Sequence, residues 1–205
     1  DESKIEGLRM IGVDVANSES GDKAAIAEGK GNVLLKIEDF SCPDSNQLGH
    51  QVYRMMKEKG IKNNCVGVDG VGVGAGTVNT LKEYGISGKN VNLQSASEPV
   101  DLNQEEEFNN LRSQMWWTMR EDLRNGLIAL PDDQDLIADL VTPKWFVRSG
   151  KIVIESKEDI KKRLGRSPNK GDAAVYWNWV RNQGGFEVTI TTKATRRSKE
   201  IIAGY

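Results

Sequence analysis

The chain of 205 residues is 38% hydrophobic and carries a formal net charge of −2 at pH 7. This length and composition predict one substantial α/β domain, or two small ones, with a packed core. No run approaches the roughly 20 apolar residues that a membrane-spanning helix needs, and the polar start DESKIEGLRM is not typical of a signal peptide. The two cysteines and the single histidine, His50, show no metal-ligand spacing, which argues against structural zinc and against a Ser-His-Asp triad.

Charge is distributed unevenly along the chain. Residues 144–205 hold 14 Lys and Arg against 6 Asp and Glu, whereas the other 143 residues hold 14 against 24. An acidic body with a basic terminal third is typical of a protein that meets a polyanion on one side. A solvated charged surface explains the same distribution equally well, so charge alone does not distinguish the two.

Strands and helices alternate in the first half of the chain. LRMIGVDVA predicts a buried strand that ends at Asp14, and KAAIAEGKGNVLLKIEDF predicts a hairpin around its GKG triplet. Apolar residues recur at helical spacing over residues 43–59, and Gly60 ends that helix. NCVGVD predicts a second buried strand, followed after its glycines by a helix over about residues 77–84 and by a short strand, KNVNLQ.

The second half contains the clearest helix pattern. In EFNNLRSQMWWTMREDLRNG an apolar residue recurs every four positions, and Gly126 takes the C-cap position. PDDQDLIADLVT predicts a short helix, and KWFVRSGKIVIE predicts a hairpin with Ser-Gly as its turn. Ser167 as cap and Pro168 as first residue predict a further helix, which runs through NKGDAAVYWNWVRN and stops near Gly184.

Together these elements predict one α/β domain over residues 1–183, because strands of mixed direction are interleaved with helices. Residues 1–7 have the composition of a linker. Residues 184–205 predict a polar, basic and loosely held tail.

The glycine-rich segment VGVDGVGVGAG tests for nucleotide binding. A dinucleotide-binding turn needs G-x-G-x-x-G with an acidic residue about 20 positions later, whereas here the glycines alternate and Asp69 precedes them. A P-loop needs Gly-Lys-Ser/Thr, and this segment has no lysine. The glycines are therefore interpreted as a sharp turn at a strand end, which lets Asp69 project from the edge of the sheet.

Three aspartates occupy related positions. Asp14 and Asp69 each end a buried strand, and Asp172 falls in the first turns of a helix. One such residue is often only a turn or cap residue, but carboxylates ~4 Å apart repel by roughly 4 kcal/mol per pair at an effective dielectric of ~20. A converging cluster therefore needs cations, and oxygen ligands without His or Cys suit Mg²⁺ or Mn²⁺. Two such ions ~3.5–4 Å apart form an arrangement that hydrolyses phosphodiesters.

Three segments, IGVDVANSESGDKAAIA, CVGVDGVGVGAGTVNTLKEYGI and IESKEDIKKRLGRSPNKGDAAVYW, carry a family resemblance. In this order they resemble the nuclease domain of the large terminase subunit of tailed bacteriophages, over about Leu8 to Trp179. The resemblance implies a ribonuclease-H-like α/β fold, with a central mixed β-sheet flanked by helices and an additional β-hairpin near the active site. It also implies that residues 1–7 are a linker remnant from an absent N-terminal ATPase domain.

The resemblance assigns roles by position. It makes Asp14, Asp69 and Asp172 the catalytic, metal-binding triad, and Asp22 in the GDK triplet an auxiliary acidic group. Gly171 stands where the family often has alanine, a mild departure. We hypothesise that Asp14 bridges two divalent ions, Mg²⁺ or Mn²⁺, while the other two aspartates complete their shells. One ion would activate the attacking water and the other would stabilise the departing 3′ oxygen.

Basic residues lie between the second hairpin and the Asp172 helix, and we expect them to contact the DNA backbone near the cut. They are Lys157, Lys161, Lys162, Arg163 and Arg166. The alternative is a solvated helix face. No signature of base-edge recognition is visible, so cleavage should depend little on sequence.

The resemblance implies headful-type cutting of concatemeric double-stranded viral DNA during genome packaging, in the cytoplasm of the infected bacterial host. It implies three partners for the full-length protein: the ATPase domain, the portal protein and the small terminase subunit. No membrane partner is expected, and the isolated domain is expected to be monomeric.

Other functions remain open at this point. A second nuclease of the same fold, such as a Holliday-junction resolvase, would share the acidic cluster. A non-catalytic DNA-binding or assembly module with a decayed site is an alternative of a different class. A sugar-kinase-like ATPase also opens with a strand carrying glycine and aspartate, but VGVDGVGVGAG is a poor match to its second phosphate-binding hairpin.

Overall fold

The computed structural model describes residues 1–16, 22–100 and 106–183. The strands in these ranges are β1 (Arg9–Asp14), β2 (Ala24–Lys30), β3 (Val33–Phe40), β4 (Val66–Val68), β5 (Trp145–Arg148) and β6 (Lys151–Ile154). The α-helices are α1 (Ser45–Lys59), α2 (Gly74–Glu83), α3 (Leu111–Arg124), α4 (Gln134–Val141), α5 (Lys157–Leu164) and α6 (Asn169–Asn182).

A four-stranded mixed sheet forms the centre of the fold, in the order β3-β2-β1-β4. The first three strands form an antiparallel meander, and β4 pairs with β1 in parallel, with Val13 opposite Val68. The predicted mixed α/β fold is therefore confirmed. The parallel pair has a consequence for function, because it brings the carboxyl ends of β1 and β4 to the same edge of the sheet.

Helix α6 is the central helix of the core, and most of its residues are buried. It packs directly on β1, where Gly12 allows a close approach: a Cβ at this position would lie 2.2 Å from the backbone nitrogen of Trp177. The apolar sides of α1, α2 and α3 complete the same core, through residues such as Leu48, Leu81 and Met115. This close packing holds the start of α6 beside the edge where β1 and β4 end.

The predicted β5–β6 hairpin forms a separate two-stranded sheet with its turn at Ser149 and Gly150. All four residues of β5 are exposed. In the described ranges, no helix is long and apolar enough to cross a membrane.

Four details differ from the sequence predictions. Helix α2 begins at Gly74, about three residues early, so the last glycines of the turn belong to the helix. KNVNLQ is not a strand: it follows β4 only through an isolated bridge between Asp69 and Leu93 and the backbone bonds Val68 N to Asn90 O, Leu93 N to Val68 O and Gly70 N to Leu93 O. Helix α5 was not assigned by the pattern, although Ser156 caps it.

The predicted cap of α6 is wrong. Helix α6 begins at Asn169, and Pro168 takes the N-cap position with no side-chain hydrogen bond. The hydroxyl of Ser167 donates to Asp22 Oδ1 instead, at 2.8 Å. Helix α6 ends at Asn182 with Gln183 as its C-cap, which agrees with the predicted stop near Gly184. The predicted tail at 184–205 lies outside the described residues.

Candidate active site

Three elements bring the three predicted aspartates to one cleft of about 660 Å³. Asp14 is the last residue of β1, Asp69 follows β4 directly, and Asp172 lies in the first turn of α6. Asp14 and Asp172 are 4% and 2% exposed, whereas Asp69 is half-buried. Residues that are far apart along the chain therefore form one acidic site because β1 and β4 are parallel neighbours and α6 begins beside their ends.

A lysine ammonium group lies between two of these carboxylates. Lys157 Nζ is 3.2 Å from Asp14 Oδ2 and 3.0 Å from Asp172 Oδ2. Lys157 is the first residue of α5, which the Ser156 cap orients toward the cleft wall. The ammonium balances much of the repulsion that two buried carboxylates would otherwise suffer.

Hydrogen bonds fix the carboxylate of Asp69. Ser95 Oγ donates to Asp69 Oδ2 at 2.6 Å, and the buried hydroxyl of Tyr176 donates to the same oxygen at 3.2 Å. The backbone nitrogens of Val71 and Ser95 donate to Oδ1 at 3.2 and 3.3 Å. Asp69 is thus held in one orientation by a turn, a loop and helix α6.

The glycines beside Asp69 are needed for space. A Cβ on Gly74 would lie 1.8 Å from the carbonyl oxygen of Asp69, and a Cβ on Gly70 would lie 1.9 Å from Asn92 Oδ1. Gly72 has a left-handed φ of 61°, which glycine adopts without steric cost. This geometry agrees with the interpretation of the segment as a turn that positions Asp69.

The third carboxylate is oriented by the α3 helix. The indole Nε1 of Trp116 donates to Asp172 Oδ1 at 3.1 Å, and both residues are buried. Trp116 is a buried core residue whose indole also contacts the acidic site.

Burial shifts the protonation of the site. It raises the pKa of Asp14 from an ordinary 3.8 to about 7; Lys157 opposes this shift, and the carboxylates of Asp172 and Asp69 add to it. Burial alone would lower the pKa of Lys157, but the carboxylates of Asp14 and Asp172 outweigh it and raise that pKa above its ordinary value. Burial also raises the pKa of Tyr176, so its hydroxyl remains a hydrogen-bond donor.

The donor atoms of the site are of the type that divalent cations prefer, but the side chains are not arranged to hold such an ion. The carboxylate oxygens are the ligand type that Mg²⁺ and Mn²⁺ prefer, and a cationic group already lies between Asp14 and Asp172. Within the described ranges, no group of three or more His, Cys, Asp or Glu side chains is placed to hold a metal as the structure stands. A metal-bound state therefore requires the ammonium of Lys157 to move aside.

Asp22, the predicted auxiliary acid, lies outside this cleft and lines a separate cavity of about 220 Å³. It accepts hydrogen bonds from Lys161 Nζ and Ser167 Oγ, both at 2.8 Å. Burial by itself would raise the pKa of Asp22, but these hydrogen bonds outweigh it and hold the pKa below its ordinary value. The structure therefore places Asp22 beside α5 and the start of α6 rather than with the three other aspartates.

The predicted DNA-binding residues are mostly engaged in ion pairs within the domain. Lys157 bonds to the acidic site and Lys161 to Asp22. Arg163 pairs with Glu155, and Arg166 pairs with Asp139 and Asp135. The side chain of Lys162 is 76% exposed, beside Asp159 on the same helix.

Sequence analysis missed several residues that line the cleft or hold its carboxylates. Tyr176 lies four positions after Asp172, a spacing that places both on one face of a helix, so this signal was present. Ser95, Arg112 and Arg148 had no signal in the pattern, since they come from a loop, a helix start and a strand that only the fold brings to the cleft.

The mixed sheet, the parallel β1–β4 pair and the aspartates at its edge define a ribonuclease-H-like fold. More particularly, the chain has the fold of the nuclease domains of phage large terminase subunits. It superimposes on the nuclease domain of the large terminase subunit gp2 of bacterial virus Sf6 with a TM-score of 0.70 and 21% identity, over 85% of this chain and 89% of that chain.

Two further solved structures share the fold. The large terminase nuclease of thermophilic phage G20c, with bound magnesium, gives a TM-score of 0.57 and 15% identity over 86% of this chain and 82% of that chain. The large terminase nuclease domain of Thermus phage P74-26 gives a TM-score of 0.55 and 12% identity, over 84% of this chain and 78% of that chain. No protein-family model and no curated protein matches the chain.

Proposed function

We propose that this domain is a metal-dependent endonuclease that cuts double-stranded viral DNA during genome packaging. The observation that carries the proposal is the convergence of Asp14, Asp69 and Asp172, from two parallel strand ends and a helix, in one open cleft. Likeness to the Sf6, G20c and P74-26 nuclease domains supports this class of activity.

The three aspartates would hold two divalent ions, Mg²⁺ or Mn²⁺. Related domains support divalent binding: a variant of the Sf6 domain was solved with manganese, and the G20c nuclease with magnesium and with cobalt. When bound, such ions supply an activated water nucleophile and charge stabilisation for an in-line phosphodiester cleavage.

The chain's own residues orient and balance this acidic site. Ser95 and Tyr176 hold the carboxylate of Asp69, and Trp116 holds that of Asp172. Lys157 neutralises the site before ions enter, so that the domain folds without metal. No histidine is needed as a general base, and His50, which is not among the residues lining the cleft, contacts the hydroxyl of Tyr84.

The biological setting is part of the same proposal. We propose cleavage with little sequence preference, within a full-length protein that carries an ATPase domain and meets the portal protein and the small terminase subunit. The place of action would be the cytoplasm of an infected bacterium, with the isolated domain acting as a monomer.

Nicking of supercoiled plasmid in Mn²⁺ tests the activity. The wild type should nick and linearise the plasmid, and Asp14→Asn should lose at least about 100-fold in rate, because it removes a charged ligand. Asp132→Asn, an exposed aspartate outside the cleft, is the matched control and should retain full activity.

The competing functions give different results. A preference for four-way junctions over linear duplex would indicate a junction resolvase instead. Binding of DNA with no nicking in Mg²⁺ or Mn²⁺ would contradict the enzyme proposal and indicate a non-catalytic module.

A further inference from the structure

One wall of the cleft is basic and aromatic. Arg112 from the first turn of α3 lies there with Phe146 and Arg148 from β5, while Asp14, Asp69 and Asp172 line the same cleft. In β5 alternate residues point to the same face, so Phe146 and Arg148 lie on one face of the strand. Both side chains line the cleft, and the guanidinium carbon of Arg148 lies 5.8 Å from the centre of the Phe146 ring.

Arg112 is held firmly but has a free donor. Its Nη1 donates to the carbonyl oxygen of Glu155 at 2.8 Å, and its backbone nitrogen donates to the carbonyl oxygen of Ser95 at 2.8 Å. Its guanidinium carbon lies 5.7 Å from the centre of the Trp116 ring. Its Nη2 is buried and has no hydrogen-bond partner among the described residues. A buried, charged donor without an acceptor is costly, so this donor would gain from an acceptor that enters the cleft.

The chemistry of that acceptor is defined by the donor. A guanidinium fork matches the paired oxygens of a phosphate or carboxylate. Arg112 is connected to the acidic site through Trp116, whose indole donates to Asp172. An anion bound at Arg112 would therefore lie one side chain away from the acidic site. A nucleic-acid strand can place one phosphate at Arg112 and a neighbouring one at the acidic site, because its phosphates repeat along the backbone.

Arg148 extends the same wall outward. It is exposed, and in the described part of the chain no carboxylate forms an ion pair with it. The exposed ring of Phe146 beside it offers an apolar surface to a sugar or a base. By contrast, the basic residues predicted from the sequence are mostly paired with carboxylates of the domain itself.

Resting on the proposed function, we propose that Arg112 and Arg148 form the phosphate-binding wall of the cleft. Arg112 binds a non-bridging oxygen of a backbone phosphate that neighbours the scissile one, and Arg148 binds a phosphate farther along the same strand. Both contacts are independent of the metal ions and of base sequence.

Fluorescence anisotropy with a short labelled duplex, in EDTA so that no cleavage occurs, tests this wall. Arg112→Gln and Arg148→Gln should each weaken binding by about tenfold, equally for unrelated sequences. Each should also reduce the slope of log K against log salt by about 0.9, the effect of one lost phosphate contact. Arg124→Gln, on the same helix but exposed and outside the cleft, is the matched control and should change neither quantity.

Arg112→Gln also removes the bond to Glu155, so its melting temperature is measured alongside. If it does not fold, Arg148→Gln, at an exposed position, and Arg112→Lys, which keeps the charge, carry the test. Wild-type affinity and salt slope in Arg148→Gln or in a folded Arg112→Gln, wild-type affinity in Arg112→Lys, which lacks the guanidinium fork, or a wild type that does not bind DNA, would overturn the inference. Because these measurements need no cleavage, a wild type that binds as expected but never nicks plasmid would refute only the proposed nuclease function.

Discussion

At the scale of single residues, the structure gives Lys157 a different partner from the one that the sequence predicted. It was expected to meet the phosphate backbone, whereas its ammonium lies between Asp14 and Asp172. A lysine in this position is an internal counter-ion for two buried acids. It also competes with any divalent cation for the same carboxylate oxygens.

Replacing Lys157 with Met should destabilise the metal-free domain at about pH 8. Two buried carboxylates would lose their counter-ion, and the free energy of unfolding should fall by about 1–3 kcal/mol, less than for a fully buried pair because 36% of the lysine side chain is exposed. Urea unfolding measures the change. Lys161→Met is the control, because its partner Asp22 is partly exposed and the expected loss is below about 1 kcal/mol. Equal losses in the two variants would contradict the role assigned to Lys157.

The raised pKa of Asp14 predicts a pH dependence of stability. Between its ordinary 3.8 and about 7, the folded domain keeps a proton on Asp14 that the unfolded chain releases. Asp14 therefore lowers the free energy of unfolding as pH rises through this window, by at most about 1.4 kcal/mol per pH unit, and contributes no further slope above it. Urea unfolding from about pH 4 to pH 8 should show this slope in the wild type.

Asp14→Asn provides the comparison, since the amide does not titrate. The difference in the free energy of unfolding between the wild type and Asp14→Asn, followed over pH, should isolate the contribution of Asp14. Affinity for Mn²⁺, measured by calorimetry, should rise with pH up to about 7 in the wild type, because a metal ligand must be deprotonated. A pH-independent difference between the two proteins would show that Asp14 is ionised throughout.

At the scale of elements, the turn between β4 and α2 is the most constrained. Gly74→Ala should displace Asp69, because the added Cβ would lie 1.8 Å from a backbone oxygen that cannot rotate away. We expect loss of plasmid nicking and a lower melting temperature. Gly72→Ala is the control: its Cβ meets nothing within 4 Å, so only its left-handed φ of 61° costs stability, by about 1 kcal/mol. Full activity in Gly74→Ala would show that the turn tolerates a shift of Asp69.

At the scale of the whole molecule, the acidic site joins β1, the turn after β4 and the start of α6. An ion bound there would hold together parts of the chain that lie far apart in sequence, and binding only the folded state raises stability. Mn²⁺ at 100 times its dissociation constant should add about 2.7 kcal/mol to the free energy of unfolding. Thermal melting with and without Mn²⁺ checks this, and Asp172→Asn should lose most of the gain. A gain that survives in Asp172→Asn would place the ion elsewhere.

Much of the fold was predictable because its signals are local. The strand that ends at Asp14, the hairpin after it, helix α1 with its Gly60 cap and the β5–β6 hairpin all follow from short-range patterns, and the structure confirms them. Helix α5 and the true start of α6 were missed. The start of α5 had a local signal, Ser156 with Asp159 three residues later, whereas the start of α6 depends on Ser167 bonding to a distant aspartate, which no local pattern shows.

The sequence by itself determined that Asp14 and Asp69 end buried strands and that Asp172 lies in the first turns of a helix, although the residue at which α6 begins depended on a tertiary contact. Only the tertiary structure decided that Lys157 rather than another cation lies between Asp14 and Asp172, and that Arg112, which lines the cleft, keeps a buried donor without a partner among the described residues. The reason is physical. Contacts between α3, α5 and the sheet edge join residues tens of positions apart, and ion pairing depends on distances that only packing sets.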